Sequence, residues 1–408
     1  MSNFTEDFKP PGYYTRKRLK RNKPAILGLF IIIGSLIISL LGYLIMPDNT
    51  PDANDGAVQI QKQPPGFEVA FLKIRKNRII EKSNLFQKTI YGQESEYMIV
   101  PIKEYEINGH FVKVKIFGKD DYVKEYSLLD VVKPLNFGTT EFSSDHKGET
   151  EYSFTTIDGK KETISRQELV DEFHANNIVN RTYWLGTDKM GRDMLSRLLF
   201  GTRISLSIGF ISVLISMILG MSLGSLAGFF GGRIDMFILW FLSVIWAIPG
   251  IILVISISMA LQSRGVWVAF VAVGLTMWVE VARVMRGQIM TIKEKLYVEA
   301  ARAFGIKNFR IVFVHILPNI AGPLIVIATA NFAAAILLEA GLSFLGLGVQ
   351  PPTPSWGVMI YEGFQAIGTK NSLHLILFPG LAICILVLSF NLLGNGLRDA
   401  YDPKTILD

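Results

Sequence analysis

Two carboxylates, Glu280 and Glu339, stand inside apolar stretches, and a third, Glu299, opens the tripeptide Glu299-Ala300-Ala301 in a basic one. A carboxylate within a membrane costs several kcal/mol unless it is paired or faces water, so Glu280 and Glu339 are candidates for a translocation path or an intersubunit contact. Glu280 has Arg283 three residues on, close to the end of its stretch, so an ion pair that snorkels to the surface is the plainer account. Glu339 lies deeper, beside Ala340 and Gly341, and suits either a cavity wall or a bond to a partner subunit. Farther up the chain, Thr187, Asp188, Gly191, Arg192, Asp193, Arg197 and Arg203 alternate with Met190, Met194, Leu195, Leu198 and Leu199. That pattern predicts an amphipathic elbow along a membrane interface over 183–203, capped by Thr187 or Asp188, with the Asp/Arg pairs as a solvated face and no metal bound. No G-x-x-x-x-G-K-[ST] and no H-E-x-x-H occurs. His110, His146, His174, His315 and His374 lack metal-ligand spacing, and the single Cys384 excludes an internal disulfide or a C-x-x-C site. The chain is therefore expected to be no enzyme by itself, with no metal site and no cofactor of its own.

The elements that must hold these residues follow from the hydropathy. At 408 residues, 50% hydrophobic and 19% charged, the composition is too apolar for a soluble enzyme and too charged for a chain that is membrane throughout. Six apolar stretches, 25–46, 204–230, 234–261, 266–285, 320–349 and 374–397, are each long enough to cross a hydrocarbon core of about 30 Å. The first is too long for a signal-peptide core and no small-x-small cleavage site follows it, so an uncleaved anchor is expected. Lys9, Arg16, Lys17, Arg18, Lys20, Arg21 and Lys23 precede it, which puts a basic tail, 1–24, in the cytoplasm. With six spans the carboxyl-terminal tail, 398–408, is cytoplasmic too. So is the link after span 4, which carries Arg283, Arg286, Lys293, Lys295, Arg302, Lys307 and Arg310, against only Arg264 and Lys370 in the links after spans 3 and 5. Arg192, Arg197 and Arg203 fall on the wrong side for this rule, partly offset by Asp188 and Asp193.

Between spans 1 and 2 lies a polar insert, 47–182. Stretches 68–74, 97–102 and 111–117 are rich in β-branched and aromatic residues, Asn108-Gly109, Gly118 and Asp158-Gly159 supply turns, and Ser165 with Glu168 has the spacing of a capping box. A small, mainly β, extracytoplasmic domain is expected there. Within the core, 204–397, Gly220-x-x-x-Gly224-x-x-x-Gly228 predicts a close helix–helix seam, and Pro249-Gly250 and Pro379-Gly380 should kink or interrupt their spans. The cytoplasmic link at about 286–319 reads as a helical hairpin: helix formers over 294–304, Gly305 as a left-handed C-cap, Asn308 as an N-cap, and Pro318 to end the second arm.

Glu299-Ala300-Ala301, Gly305 four residues later and Leu317-Pro318 twelve residues after that resemble the EAA loop of ABC-importer permease subunits. His315 stands where the general pattern has Ile, but His315-Ile316-Leu317-Pro318-Asn319 is itself similar to the oligopeptide/dipeptide/nickel branch. So are Leu185-Gly186-Thr187-Asp188 with Gly191-Arg192-Asp193, 339–348, 350–357 and the tail from Asn391 to Asp399, all in the manner of the C-type subunit. The resemblance covers span 1 and 183–403, and leaves out the insert. It implies an all-α polytopic fold of the type I ABC importer kind and peptide import across the inner membrane by alternating access. Glu299, Ala300, Ala301, Gly305, His315, Leu317 and Pro318 would couple to the ATPase, while Glu339, Glu280, Pro249 and Gly250 are candidates for the translocation path. Implied partners are a second homologous permease, one or two ABC ATPases that hold ATP and magnesium, an extracytoplasmic solute-binding protein and membrane lipid; no nucleic acid is expected. Nickel or another small solute of the same family is the alternative cargo. A membrane-anchored sensor or envelope protein acting through the insert is the alternative of another class.

Overall fold

The computed structural model describes residues 11–119, 122–136, 141–144, 150–263 and 265–402. Lys9, His146 and Arg264 lie outside the described residues. In chain order, α1 (Pro11–Arg21) and α2 (Lys23–Ile45) are followed by β1 (Phe67–Arg75), α3 (Leu85–Tyr91), β2 (Tyr97–Asn108), β3 (Phe111–Ile116), β4 (Val123–Ser127) and α4 (Leu128–Val132). Then come β5 (Glu141–Ser144), β6 (Thr150–Thr155), β7 (Lys161–Ser165), α5 (Arg166–Asn176) and β8 (Ile178–Tyr183). The remainder is helical: α6 (Met194–Phe230), α7 (Gly232–Trp246), α8 (Gly250–Ala260), α9 (Val266–Ile292), α10 (Leu296–Ala303), α11 (Asn308–Arg310), α12 (Ala321–Phe344), α13 (Trp356–Gln365) and α14 (Leu373–Tyr401).

Among the described residues five helical stretches are long and apolar enough to cross a membrane, and a sixth if α7 and α8 count as one span. Those two meet at 92°, because Ile248-Pro249-Gly250 breaks the helix and Pro249 opens α8 as its N-cap. Pro379, by contrast, sits inside an uninterrupted α14.

The chain divides into two compact units. One comprises Met1–Ser39, Gly201–Tyr361 and Pro379–Asp408. Its core packs α6, α8, α9 and α12 through Ile208, Val254, Ala272, Val273, Ala335 and Leu342. The glycine stripe of α6 is the closest seam: a Cβ on Gly220 would sit 2.4 Å from Val281 Cβ, and on Gly224 2.5 Å from the Ala282 carbonyl. Only the missing side chains let the α6 and α9 backbones come this near, which in lipid supplies the packing attraction that hydrophobicity cannot.

The other unit comprises Leu40–Phe200 and Glu362–Phe378. It holds an antiparallel sheet in the order β4-β3-β2-β1-β8 and a three-stranded one, β5-β6-β7. Alternation along β3 turns Val112, Val114 and Ile116 inward, against α4 and α5 through Leu128, Leu129, Leu169 and Phe173. Ser165 and Glu168 form the capping box that starts α5. Gly109 and Gly159, both left-handed, turn the chain between β2 and β3 and between β6 and β7. Because β1 and β8 pair directly, Phe67 against Tyr183, the two ends of the sheet domain lie side by side.

Candidate functional site

The hairpin after α9 is built on a defined stop. α10 ends in a Schellman turn, with Gly305 at φ +72°, its amide bonded to the Arg302 carbonyl at 2.9 Å and the Ile306 amide to the Ala301 carbonyl at 3.1 Å. One face of α10 is anchored: Val298 and Ala301 are buried with Met285, Ile289, Ile311, Ile316 and Leu324. The opposite face is open, presenting Glu299 and Ala300 to solvent together with Leu296 (82% exposed) and Phe304 (86%); Phe309 follows at 73%. Large apolar side chains left bare around a carboxylate mark a contact surface and not a solvated edge. Lys293 braces the base by donating to the Gly228 carbonyl at 3.0 Å, in the last turn of α6, where a cation suits the helix dipole. Arg286 grips Asp235 of α7 with two bonds at 2.5 and 2.7 Å.

The second arm departs from expectation. The N-cap is Lys307, with no side-chain bond, and not Asn308. Pro318 does not end the helix: 311–316 widens into a π-turn, the Leu317 amide bonding the Val312 carbonyl, a 3-10 turn over 317–320 follows, and α12 continues. The looser turn absorbs the proline that would otherwise clash with the preceding turn, so Asn308–Phe344 forms one apolar stretch of 37 residues. Ala301 and Ile316 face inward and His315 and Leu317 are half-buried, whereas Glu299, Ala300, Gly305 and Pro318 are exposed.

The segment expected as an interfacial elbow is something else. Residues 184–193 are not helical; a helix begins only at Met194 and runs unbroken to Phe230. Its charges are buried, with Asp188 3%, Arg192 4%, Asp193 6% and Arg197 0% exposed. Asp188 accepts the amides of Met190 at 2.8 Å and Arg192 at 3.0 Å, and meets Arg192 Nε at 2.6 Å and Arg197 Nε at 3.2 Å. Glu362, which the sequence did not single out, closes the cluster within 3.3 Å of Arg192, 3.6 Å of Arg197 and 3.6 Å of Lys189. Two buried arginines against two buried carboxylates neutralise one another in a solvent-poor site, with Lys189 half-exposed at its edge, and the turn geometry delivers them. Gly191, at φ +74°, has no room for a Cβ beside the Ala57 carbonyl, and Thr187 accepts the Gln63 amide at 2.8 Å while donating to Ile60 O. Asp193 caps α6 through the Ser196 amide at 2.8 Å. Burial pushes its carboxyl above the usual carboxylate range, and the bonds from Ser196 pull part of the way back. Arg203 donates instead to the Ser39 carbonyl at 2.8 Å.

The two intramembrane acids part company. Glu339 is fully buried and accepts the hydroxyls of Ser343 at 2.7 Å and Ser355 at 2.8 Å; Ser343 Oγ in turn accepts the Val349 amide and Ser355 Oγ the Val358 amide. It therefore stitches the end of α12 to the start of α13. Glu280 is exposed, and no ion pair to Arg283 forms among the described residues, because the Arg283 guanidinium lies 3.1 Å over the Trp246 ring. Pro249 and Gly250 mark the break between α7 and α8 and carry no polar side chain. Gly220-Met221-Ser222-Leu223-Gly224 has the spacing of a hydrolase elbow but is mid-helix, with Ser222 donating to the Ile218 carbonyl at 2.7 Å.

Residues 220–407 match the description of a binding-protein-dependent transport system inner membrane component. Residues 11–65 match the N-terminal transmembrane domain of oligopeptide transport permease C. The glutathione transport system permease protein GsiD of Pectobacterium atrosepticum is 44% identical over 238 residues, which is 58% of this chain and 78% of that protein. The dipeptide transport system permease protein DppC of Bacillus subtilis is 41% identical over 242 residues, 59% of this chain and 74% of that one. The oligopeptide transport system permease protein OppC of Bacillus subtilis is 38% identical over 239 residues, 57% of this chain and 77% of that one. With the hairpin, the glycine seam and the broken α7–α8 span all inside the matched stretch, the chain belongs to the binding-protein-dependent inner-membrane permeases, in the oligopeptide/dipeptide branch of ABC transport subunits.

Proposed function

We propose that this chain is the permease subunit of an ATP-driven importer, of the type I fold, that moves peptides across the cytoplasmic membrane by alternating access. One observation carries this reading: a hairpin with a rigid inner face and an open outer face of Glu299, Ala300, Leu296 and Phe304, joined directly to two membrane helices, α9 and α12. The names of similar proteins, which transport dipeptides, oligopeptides and glutathione, support the cargo class.

In this reading the hairpin docks on an ABC ATPase, one or two copies serving the complex, where ATP and magnesium are held and hydrolysed; a second homologous permease completes the path. An extracytoplasmic solute-binding protein delivers the peptide. Movement of α10 passes through Val298 and Ala301 to α9, and along the glycine seam to α6, so that a docked partner tilts helices as a set. Such a shift needs contacts that differ between the two states. Glu299, Ala300, Ala301, Gly305, His315, Leu317 and Pro318 form the coupling element. Glu339 acts as a structural bond, not a cargo ligand, and Glu280 is free to face a partner subunit or water.

Both termini are cytoplasmic and the insert is outside. Of the three arginines that argue against this orientation, Arg192 and Arg197 are paired with Asp188 and Glu362 and Arg203 donates to the Ser39 carbonyl, which lessens their weight as free loop charges, while Lys295, Lys307 and Arg310 of the hairpin stay exposed. The test is uptake by cells that produce the assembled transporter, with labelled dipeptides and oligopeptides in one arm and nickel in the other. Peptide accumulation that depends on this chain is the expected result; accumulation of nickel alone would transfer the cargo to the alternative, and accumulation of neither would favour an anchored sensor.

A further inference from the structure

The insert carries a short helix, α3, that buries none of its residues completely. Its Leu85, Phe86 and Ile90 are 72%, 74% and 41% exposed. At 100° per residue those three fall within one stripe that also holds Thr89, while Gln87 and Tyr91, itself 70% exposed, lie on the other side and Lys88 lies at the margin. The helix is deliberately made, since Asn84 and Gln87 form a complete capping box. Bare leucine and phenylalanine on so short an element are a liability in water and call for an occupant.

Its position names that occupant. The C-cap Gly92 lies against α2: a Cβ there would meet Tyr43 Cε1 and the Asn49 carbonyl, each at 2.8 Å. Tyr43 stands in the last turn of that membrane-crossing helix, its hydroxyl accepting the Asp52 amide at 3.0 Å. The Gln93 amide bonds Asn49 O at 2.9 Å, and the Gln93 side chain accepts the Ser83 amide at 2.8 Å, so both ends of α3 are tied to the point where α2 emerges. Seven residues of helix extend about 10 Å, comparable with the roughly 5–8 Å of headgroup region beyond the hydrocarbon on each side. α3 is thus held beside the end of α2, the apolar helix long enough to cross a membrane. Lys88 lies at the edge of the stripe next to Leu85, as basic residues do on helices at a phosphate-rich boundary, and α3 itself carries no acid.

We propose that α3 is a membrane-surface anchor: Leu85, Phe86 and Ile90 enter the lipid beside α2 and fix the insert to the bilayer. The inference rests on α2 crossing the membrane and is independent of the cargo. The test uses the full chain in its assembled transporter in phospholipid nanodiscs, with Cys384→Ser and a single environment-sensitive fluorophore on Phe86→Cys or, as the reference, on Glu162→Cys of β7. The expected result is blue-shifted emission at 86, quenched by lipid bearing a nitroxide near the headgroup and protected from aqueous iodide, with the reverse at 162. Label on Ile90→Cys should lose its lipid quenching when Leu85→Asp and Phe86→Asp are added, the capping box being left intact. Iodide quenching at 86 equal to that at 162 would overturn the proposal. So would shielding that arises only when a solute-binding protein is added, which would make the stripe a protein-docking site.

Discussion

Glu362 stands among Lys189, Arg192 and Arg197 with Asp188 as the other carboxylate, all but Lys189 almost fully buried. Removing one charge from such a group strands the rest, a cost of about 3–5 kcal/mol, whereas replacing a whole buried pair with apolar side chains is often neutral. Glu362→Gln should therefore lower the thermal unfolding midpoint of the purified transporter by several degrees. Arg197→Met combined with Glu362→Leu should cost less than either change alone. If the double variant were the worst of the three, the cluster would be serving something other than its own neutralisation. Glu362 was invisible in the sequence because its counter-charges lie some 165–173 positions earlier in the chain, and spacing rules reach only along one element. Thr187, Asp188, Gly191 and Arg192 were visible as a pattern, but amphipathic spacing pointed their charges at water, whereas the fold turns them on one another in a buried cluster.

Elements show the same division. A close seam on α6 was legible, since three glycines at intervals of four clear one helix face, but its partner α9 was not. Gly224→Ala would press a methyl group to 2.5 Å from the Ala282 carbonyl, a backbone atom that cannot swing aside, and should destabilise by about 1–3 kcal/mol. Gly34→Ala, with nothing within 4 Å, should leave the unfolding midpoint unchanged or slightly raised. Equal effects at the two positions would mean that close approach is not what the stripe provides. Apolar runs of twenty residues located the spans, and richness in β-branched and aromatic residues located β1, β2 and β3. Helix ends were the part that stayed hidden. α6 begins at Met194 and not near 204 because its first turns bury Arg197 against partners distant in sequence, and the fifth span begins at Asn308 because a π-turn accommodates Pro318. A proline read locally says stop, and here, as at Pro379, the surrounding helix overrules it.

At the scale of the molecule, the sheet domain is an insertion whose ends meet: the Gly66 amide bonds the Tyr183 carbonyl at 2.9 Å. Deleting 67–182 and joining the ends by a short linker should leave a chain that still inserts and still co-purifies with its ATPase. A deletion taken back to 56 should not, because Ala57, Lys62 and Gln63 bond Gly191, Asp188 and Thr187 at the foot of α6. Loss of co-purification on deleting 67–182 would make the insert part of the transporter's frame. The central claim is narrower: the hairpin between α9 and α12 couples ATP hydrolysis on a partner to transport through this chain. Glu299 is exposed and unpaired by any ion bridge among the described residues, so Glu299→Lys spares the fold while reversing a charge on the docking face. Gly305→Val adds about 1–2 kcal/mol of left-handed strain at the Schellman turn. The most direct measurement is peptide uptake and ATP hydrolysis in the same proteoliposomes, with wild-type chain and with Glu299→Lys. Uptake that falls to background while the complex remains assembled is the expected result; uptake per ATP hydrolysed equal to wild type would contradict the account.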